Sequence, residues 1–163
     1  MPAGPVILNN TPLVAFWLLD GLPWLRDLFG EVAIPTAVRY EFLAIESVAR
    51  QEAIVKASWI QTRQLANPQQ ARIYVGLDRG ESEVLALALE QSARLVIMDE
   101  RRGRRYAQRL SLPLTGTLGI LLLAKERGLI TAVSPLIKQL QAGGMYFDTE
   151  LVARVLELAG ELA

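Results

Sequence analysis

Residues 80–110 read GESEVLALALEQSARLVIMDERRGRRYAQRL, and the fold follows from them. Behind Gly80, Val84, Leu85, Ala88 and Leu89 recur at helical spacing, which predicts a helix over Glu81–Ser92. Leu95-Val96-Ile97-Met98 is apolar without alternation, as a strand covered on both faces must be, and it stops at Asp99. An arginine-rich helical segment then runs to about Leu110. Helix, doubly covered strand and helix in succession point to a parallel sheet between helices.

The same alternation extends both ways. Upstream, Val6-Ile7-Leu8 ends at Asn9-Asn10 and leads into a helix for which Thr11 is the expected cap and Pro12 the first residue. Gly21 and Gly30 bracket a short apolar helix, and Val32-Ala33-Ile34 passes through Pro35-Thr36 into a helix carrying Val38, Glu41, Phe42 and Ile45. Between Ser47 and Gly76 the pattern gives helix around Ala49–Ala57, an edge strand at Trp59-Ile60-Gln61 and a helix after Asn67-Pro68.

Downstream, Leu112-Pro113-Leu114 reads as a strand ending at Thr115-Gly116-Thr117, followed by a helix up to Gly128. Two more helices, Pro135–Ala142 and Thr149–Leu162, close the chain, the second capped by Asp148. On the last helix, Leu151, Val155, Leu158 and Leu162 share a face expected to dock on the domain or on a partner. The expected architecture is α/β, a three-layer α/β/α sandwich with a small central parallel sheet, as one domain over residues 1–163.

Composition narrows the chemistry. Of 163 residues, 52% are hydrophobic, enough for a substantial core, and seventeen basic against seventeen acidic residues leave no formal net charge. Any polyanion site must therefore be local. With no His and no Cys, imidazole acid–base work, thiol nucleophiles, disulfides and Cys/His zinc sites are all excluded, so metal chemistry would need oxygen ligands. The longest apolar runs, Pro12–Leu19 and Leu118–Ala124, are far shorter than a bilayer span of ~20 residues. The first basic residue, Arg26, lies behind the early apolar run, unlike a secretory leader; a cytoplasmic protein without membrane contact is expected.

Ligands of open parallel sheets bind beyond the carboxyl ends of the strands. Those ends carry Asn9, Asp99 and Thr115, and Glu41, Glu81 and Glu83 ride helices that begin on the same edge. Oxygen donors drawn from distant stretches suit a hard cation such as Mg²⁺ or Mn²⁺, which also relieves carboxylate repulsion. The plainer reading is that acids at helix starts serve the helix dipole.

Beside Asp99, Arg101, Arg105 and Arg109 recur every four residues, with Arg102 adjacent, so a helix face could grip a phosphate backbone. An ordinary solvated surface would look the same. Tyr106 is expected to pack against the sheet, and Phe16, Trp17 and Trp24 to fill the core. Neither GxxxxGK[ST] nor a GxGxxG after the first strand is present, which argues against ATP and dinucleotide cofactors.

Five pieces in order resemble the PIN domain, the fold of metal-dependent ribonucleases that includes VapC-type toxins of toxin–antitoxin pairs. They are Ile7-Leu8-Asn9-Asn10-Thr11-Pro12-Leu13, Ile34-Pro35 leading to Glu41, Gly80-Glu81-Ser82-Glu83, Met98-Asp99-Glu100-Arg101-Arg102 and Gly116-Thr117-Leu118-Gly119. The likeness is greatest to a sub-branch of uncharacterised bacterial and archaeal PIN-like proteins and covers nearly the whole chain. It implies that Glu41, Asp99 and either Glu81 or Glu83 hold a Mg²⁺ or Mn²⁺ ion at the carboxyl edge. The family's first-strand Asp is Asn9 in this chain, an oxygen ligand without charge, so metal affinity and catalysis should both be weaker.

The resulting expectation is an endoribonuclease whose metal-activated water attacks RNA, with Arg101, Arg102, Arg105, Arg109 and Thr115 positioning the strand. A homodimer and an antitoxin are the expected protein partners. The alternatives are a PIN-like module that binds nucleic acid or protein without cutting, and an unrelated module using Asp99 as phosphoacceptor or small-ligand contact.

Overall fold

The computed structural model describes residues 4–162. In chain order the elements are β1 (Val6–Leu8), α1 (Asn10–Leu18), α2 (Leu22–Phe29), β2 (Val32–Pro35), α3 (Thr36–Ala44), α4 (Val48–Lys56) and β3 (Ile60–Arg63). A 3₁₀ turn (Pro68–Ile73) leads to α5 (Arg79–Glu90), β4 (Leu95–Ile97), α6 (Arg101–Arg109), β5 (Leu114–Thr115), α7 (Thr117–Glu126), α8 (Ser134–Ala142) and α9 (Thr149–Leu158).

The five strands form one parallel sheet in the order β3-β2-β1-β4-β5, flanked by helices as the sandwich expectation requires. The register pairs Ile7 with Ala33 on one side of β1 and Leu8 with Ile97 on the other. Central strands lose both faces to helices, so Val6, Ile7, Leu8, Val32, Ala33 and Ile34 are all buried. Each large side chain among them contributes roughly 1.5–3 kcal/mol by leaving water. Edge strand β3, by contrast, alternates buried Ile60 with exposed Thr62.

Because strand order reverses beside β1, the ends of β1 and β4 lie next to each other at the carboxyl edge. The Asn9 N–H continues the ladder by donating to the Ile97 carbonyl at 3.0 Å. Among the described residues no helix is long and apolar enough to cross a membrane.

Several boundaries differ from the sequence reading. The helix expected after Asn67-Pro68 is a 3₁₀ turn, α5 is capped by Asp78 and spans Arg79–Glu90 in place of Glu81–Ser92, and the edge strand is Ile60–Arg63. Helix α1 starts at Asn10 with Asn9 as its extended flank, not with Thr11 as cap, because the Asn9 carbonyl already accepts from the Leu13 N–H at 3.3 Å. Strand β5 starts at Leu114, since the Leu112 N–H is used to close α6 on Ala107. Helix α9 stops at Leu158, where Gly160 turns to φ +72° and the Glu161 N–H returns to the Leu156 carbonyl.

The expected apolar face of α9 is also divided. Val155 is buried and Val152, Leu156 and Ala159 pack on the core, whereas Leu151, Leu158 and Leu162 are exposed. The docked stripe is thus rotated relative to the one read from the leucines, with Val152 and Leu156 replacing Leu151 and Leu158.

Candidate functional site

Helix α5 begins at the carboxyl edge with a reciprocal cap. Asp78 accepts from the Glu81 N–H at 2.8 Å, and the Asp78 N–H stands against the Glu81 carboxyl. This D-x-x-E box was readable in Asp78-Arg79-Gly80-Glu81, and Asp78 is a site residue the motif reading missed. The box holds two carboxyls together. Burial, then the charge of Asp78 and a shared hydrogen bond with it, then Glu100, raise the Glu81 pKa to about 7.

Helix α3 brings a third acid to the same turn. Glu41 lies over Gly80, whose missing Cβ leaves the space its carboxylate occupies. Its pKa is raised by burial and by the charges of Asp78 and Glu83, against the lowering effect of the Gly80 N–H. Glu83 is committed elsewhere. One of its oxygens accepts from the Ala37 N–H in the first turn of α3 at 3.1 Å, and the other pairs with Arg79 at 3.3 Å. Glu83 therefore fastens α3 to α5, while Glu81 is held in the cap with Asp78 and is near enough to Glu100 to feel its charge.

Asp99 sits one residue beyond the buried Met98, and Thr117 at the start of α7 holds it twice. The Thr117 N–H donates to Oδ1 at 2.8 Å and the hydroxyl to Oδ2 at 2.5 Å. Gly116 makes room for this approach, since a Cβ there would lie 2.6 Å from Oδ1. Of the two threonines read from Thr115-Gly116-Thr117, the one engaged with the acid is Thr117, fully buried; the Thr115 hydroxyl lies over Gly119. Nothing in the sequence distinguishes the two, because the distinction depends on where β4 ends beside α7.

Asn9, 5% exposed, stands on the neighbouring strand end. The structure thus gathers Glu41, Asp78, Glu81 and Glu83 around the first turn of α5, and places Asp99 and Asn9 on adjoining strand ends of the same edge. Among the described residues no three acids approach closely enough to form a ready cation site.

Helix α6 leaves the edge from Glu100, which caps it through the Gly103 N–H at 2.8 Å. Arg101, Arg102, Arg105 and Arg109 are exposed, and none of the three ion pairs among the described residues involves α6. Arg102 reaches the Gly76 carbonyl and Arg104 the Met98 carbonyl, while Arg109 lies over the Tyr106 ring. Tyr106 packs edge-on against Tyr74 at 5.4 Å and donates to the Val75 carbonyl, so its support is the segment that follows the 3₁₀ turn and not the sheet.

Two cavities meet at Asp99. One of about 350 Å³ is lined by Asn10, Thr11, Asp99 and Met145–Phe147; the other, about 610 Å³, lies between α6 and the Tyr146–Leu151 segment.

A family model described as a PIN domain matches residues 5–161. No curated protein matches the chain.

Proposed function

The chain belongs to the PIN-domain family, and from that premise we propose that it is a divalent-metal-dependent ribonuclease acting at the carboxyl edge of its sheet. The observation that carries this reading is the gathering of Glu41, Asp78 and Glu81 at the first turn of α5, beside Asp99 and an arginine face that enters no ion pair among the described residues. Burial raises the pKa of Glu41 and Glu81 and the charge of Asp78 adds to it; a cation held there would offset that repulsion and favour the ionised carboxylates.

The donor set fits a hard dication by chemistry, being carboxylate and amide oxygen throughout. Glu41, Glu81 and Asp99 would hold Mg²⁺ or Mn²⁺, with Asn9 as a neutral ligand. Glu83 is the weaker candidate of the acid pair because the start of α3 already uses it. When bound, the ion would offset phosphate charge and lower the pKa of a water for attack on the phosphodiester. The chain's own residues do the rest. Thr117 fixes the orientation of Asp99, and Arg101, Arg102, Arg105 and Arg109, with Thr115, position the RNA backbone.

The test is cleavage of single-stranded RNA by purified protein with Mn²⁺ or Mg²⁺ against EDTA, repeated with Asp99→Asn and Glu41→Gln. Metal-dependent cleavage abolished by both substitutions is the expected result. Undiminished cleavage by either variant, or by wild type in EDTA, overturns the mechanism.

The second reading, RNA binding without cutting, is favoured by Asn9, which withdraws one charge from the edge. Asn9→Asp separates the two: cleavage gained only in that variant identifies a natural site reduced to binding. A toxin role, with an antitoxin and a second copy as partners, belongs to the same proposal. Co-purification from the native host and light scattering of the purified chain test those partners.

A further inference from the structure

We propose that Tyr146 is a base-stacking platform for single-stranded nucleic acid, with Arg101 and Arg105 across the cleft as its phosphate contacts. The inference rests on the RNA reading above and adds to it the residue that engages a base.

Tyr146 is 85% exposed, yet its backbone is held on both sides. Met145 and Phe147 pack on the core, the Met145 N–H donates to the Leu140 carbonyl at 3.1 Å, and Asp148 caps α9 through the Glu150 N–H at 2.8 Å. An aromatic ring left in water on a rigid support contributes little to folding and loses little entropy when something covers it.

The ring stands at the rim shared by both cavities, and the larger, about 610 Å³, is of a size that holds a nucleotide. Its opposite wall is α6. Of the charged groups lining it, Asp99 is held by Thr117, Asp148 caps α9 and Arg104 donates to the Met98 carbonyl. Arg101 and Arg105 are the two without a protein hydrogen-bond partner among the described residues. A π-face opposite two free guanidinium groups matches a nucleotide, which carries a flat base and a phosphate together. An acidic peptide would satisfy the arginines and leave the ring unused.

The experiment is fluorescence anisotropy in EDTA, so that binding is read without cleavage, using one labelled RNA as a single strand and as a duplex. Tyr146→Leu should weaken single-strand binding by about 5- to 100-fold, whereas Tyr146→Phe, which keeps the ring, should stay within about twofold of wild type. Duplex binding should be indifferent to either change, because paired bases offer no free face. At 85% exposure the substitution leaves the core intact, and an unchanged melting temperature verifies this.

If Tyr146→Leu binds single strands like wild type while Arg105→Ala binds them less well, the platform is wrong and the RNA reading stands. Displacement of the RNA by polyglutamate at equal charge concentration also overturns the platform. Wild-type protein that binds no RNA overturns both.

Discussion

Thr117 holds Asp99 by two hydrogen bonds, one to each carboxylate oxygen, from an N–H and a hydroxyl of the same residue. Asp99, two residues past β4, thereby serves the first turn of α7, and its structural and chemical roles can be separated. Thr117→Val removes the buried hydroxyl while keeping the shape, and should cost about 1–3 kcal/mol because Oδ2 loses its partner. Asp99→Asn keeps an acceptor for the N–H and should cost less, while removing the charge a cation needs. Urea denaturation of both variants, set beside their cleavage rates, checks the ordering.

The pair of carboxyls at the start of α5 gives a pH dependence of definite sign. Glu81 titrates near 7 in the fold against an ordinary 4.5, so the folded chain holds more protons than the unfolded one between these values. Stability should therefore rise on acidification through that window when no divalent cation is present. Melting temperatures in EDTA across the window should show the rise, and Glu81→Gln should flatten it. A rise of equal size in Glu81→Gln would locate its source elsewhere.

Glu161 behaves oppositely. Burial works to raise its pKa but is outweighed by the N–H groups of Val133 and Ser134 and by Lys125, which together lower it. The stability it supplies is complete above the ordinary glutamate value and is lost as pH falls below it. Glu161→Gln should loosen the α8 start and the end of α9 at neutral pH, seen as faster amide exchange there, and should lessen acid sensitivity.

Arg50 is 8% exposed and lies over both the Trp17 and Phe42 rings, 4.8 and 4.9 Å from their centroids, donating to the Phe42 carbonyl. The flat guanidinium suits that place and an ammonium does not. Arg50→Lys should cost about 1–2 kcal/mol in denaturant titrations although charge is conserved.

Arg101→Ala and Arg105→Ala should each weaken RNA binding on any sequence and reduce the salt slope by about one unit. An unchanged slope would place the backbone path away from α6.

How far the sequence carried differs by kind of feature. Strands such as Val6–Leu8 and helices such as α5 were legible because burial on both faces and 3.6-residue periodicity are written locally. Glu41, Glu81 and Asp99 were legible as acids on one edge because strand ends and helix starts alternate in a parallel sheet. What joins them was not. Whether Thr115 or Thr117 meets Asp99, and that Glu83 reaches the start of α3, depend on the packing of elements remote in sequence. Tyr146 carried no periodic signal, since a ring left in water obeys no pattern of burial. The α9 face was read correctly only at Val155, because Leu151 and Leu158 fit the helical period as well as Val152, Leu156 and Ala159, which dock.

The bare backbone at Gly80 links two properties that are usually independent. Alanine there would strengthen α5 by up to about 1 kcal/mol of helix propensity, yet its methyl group would evict the Glu41 carboxylate from the acid cluster. One added carbon would yield a sturdier protein with a dismantled centre, so a screen that selects for thermal robustness alone would favour that loss without registering it.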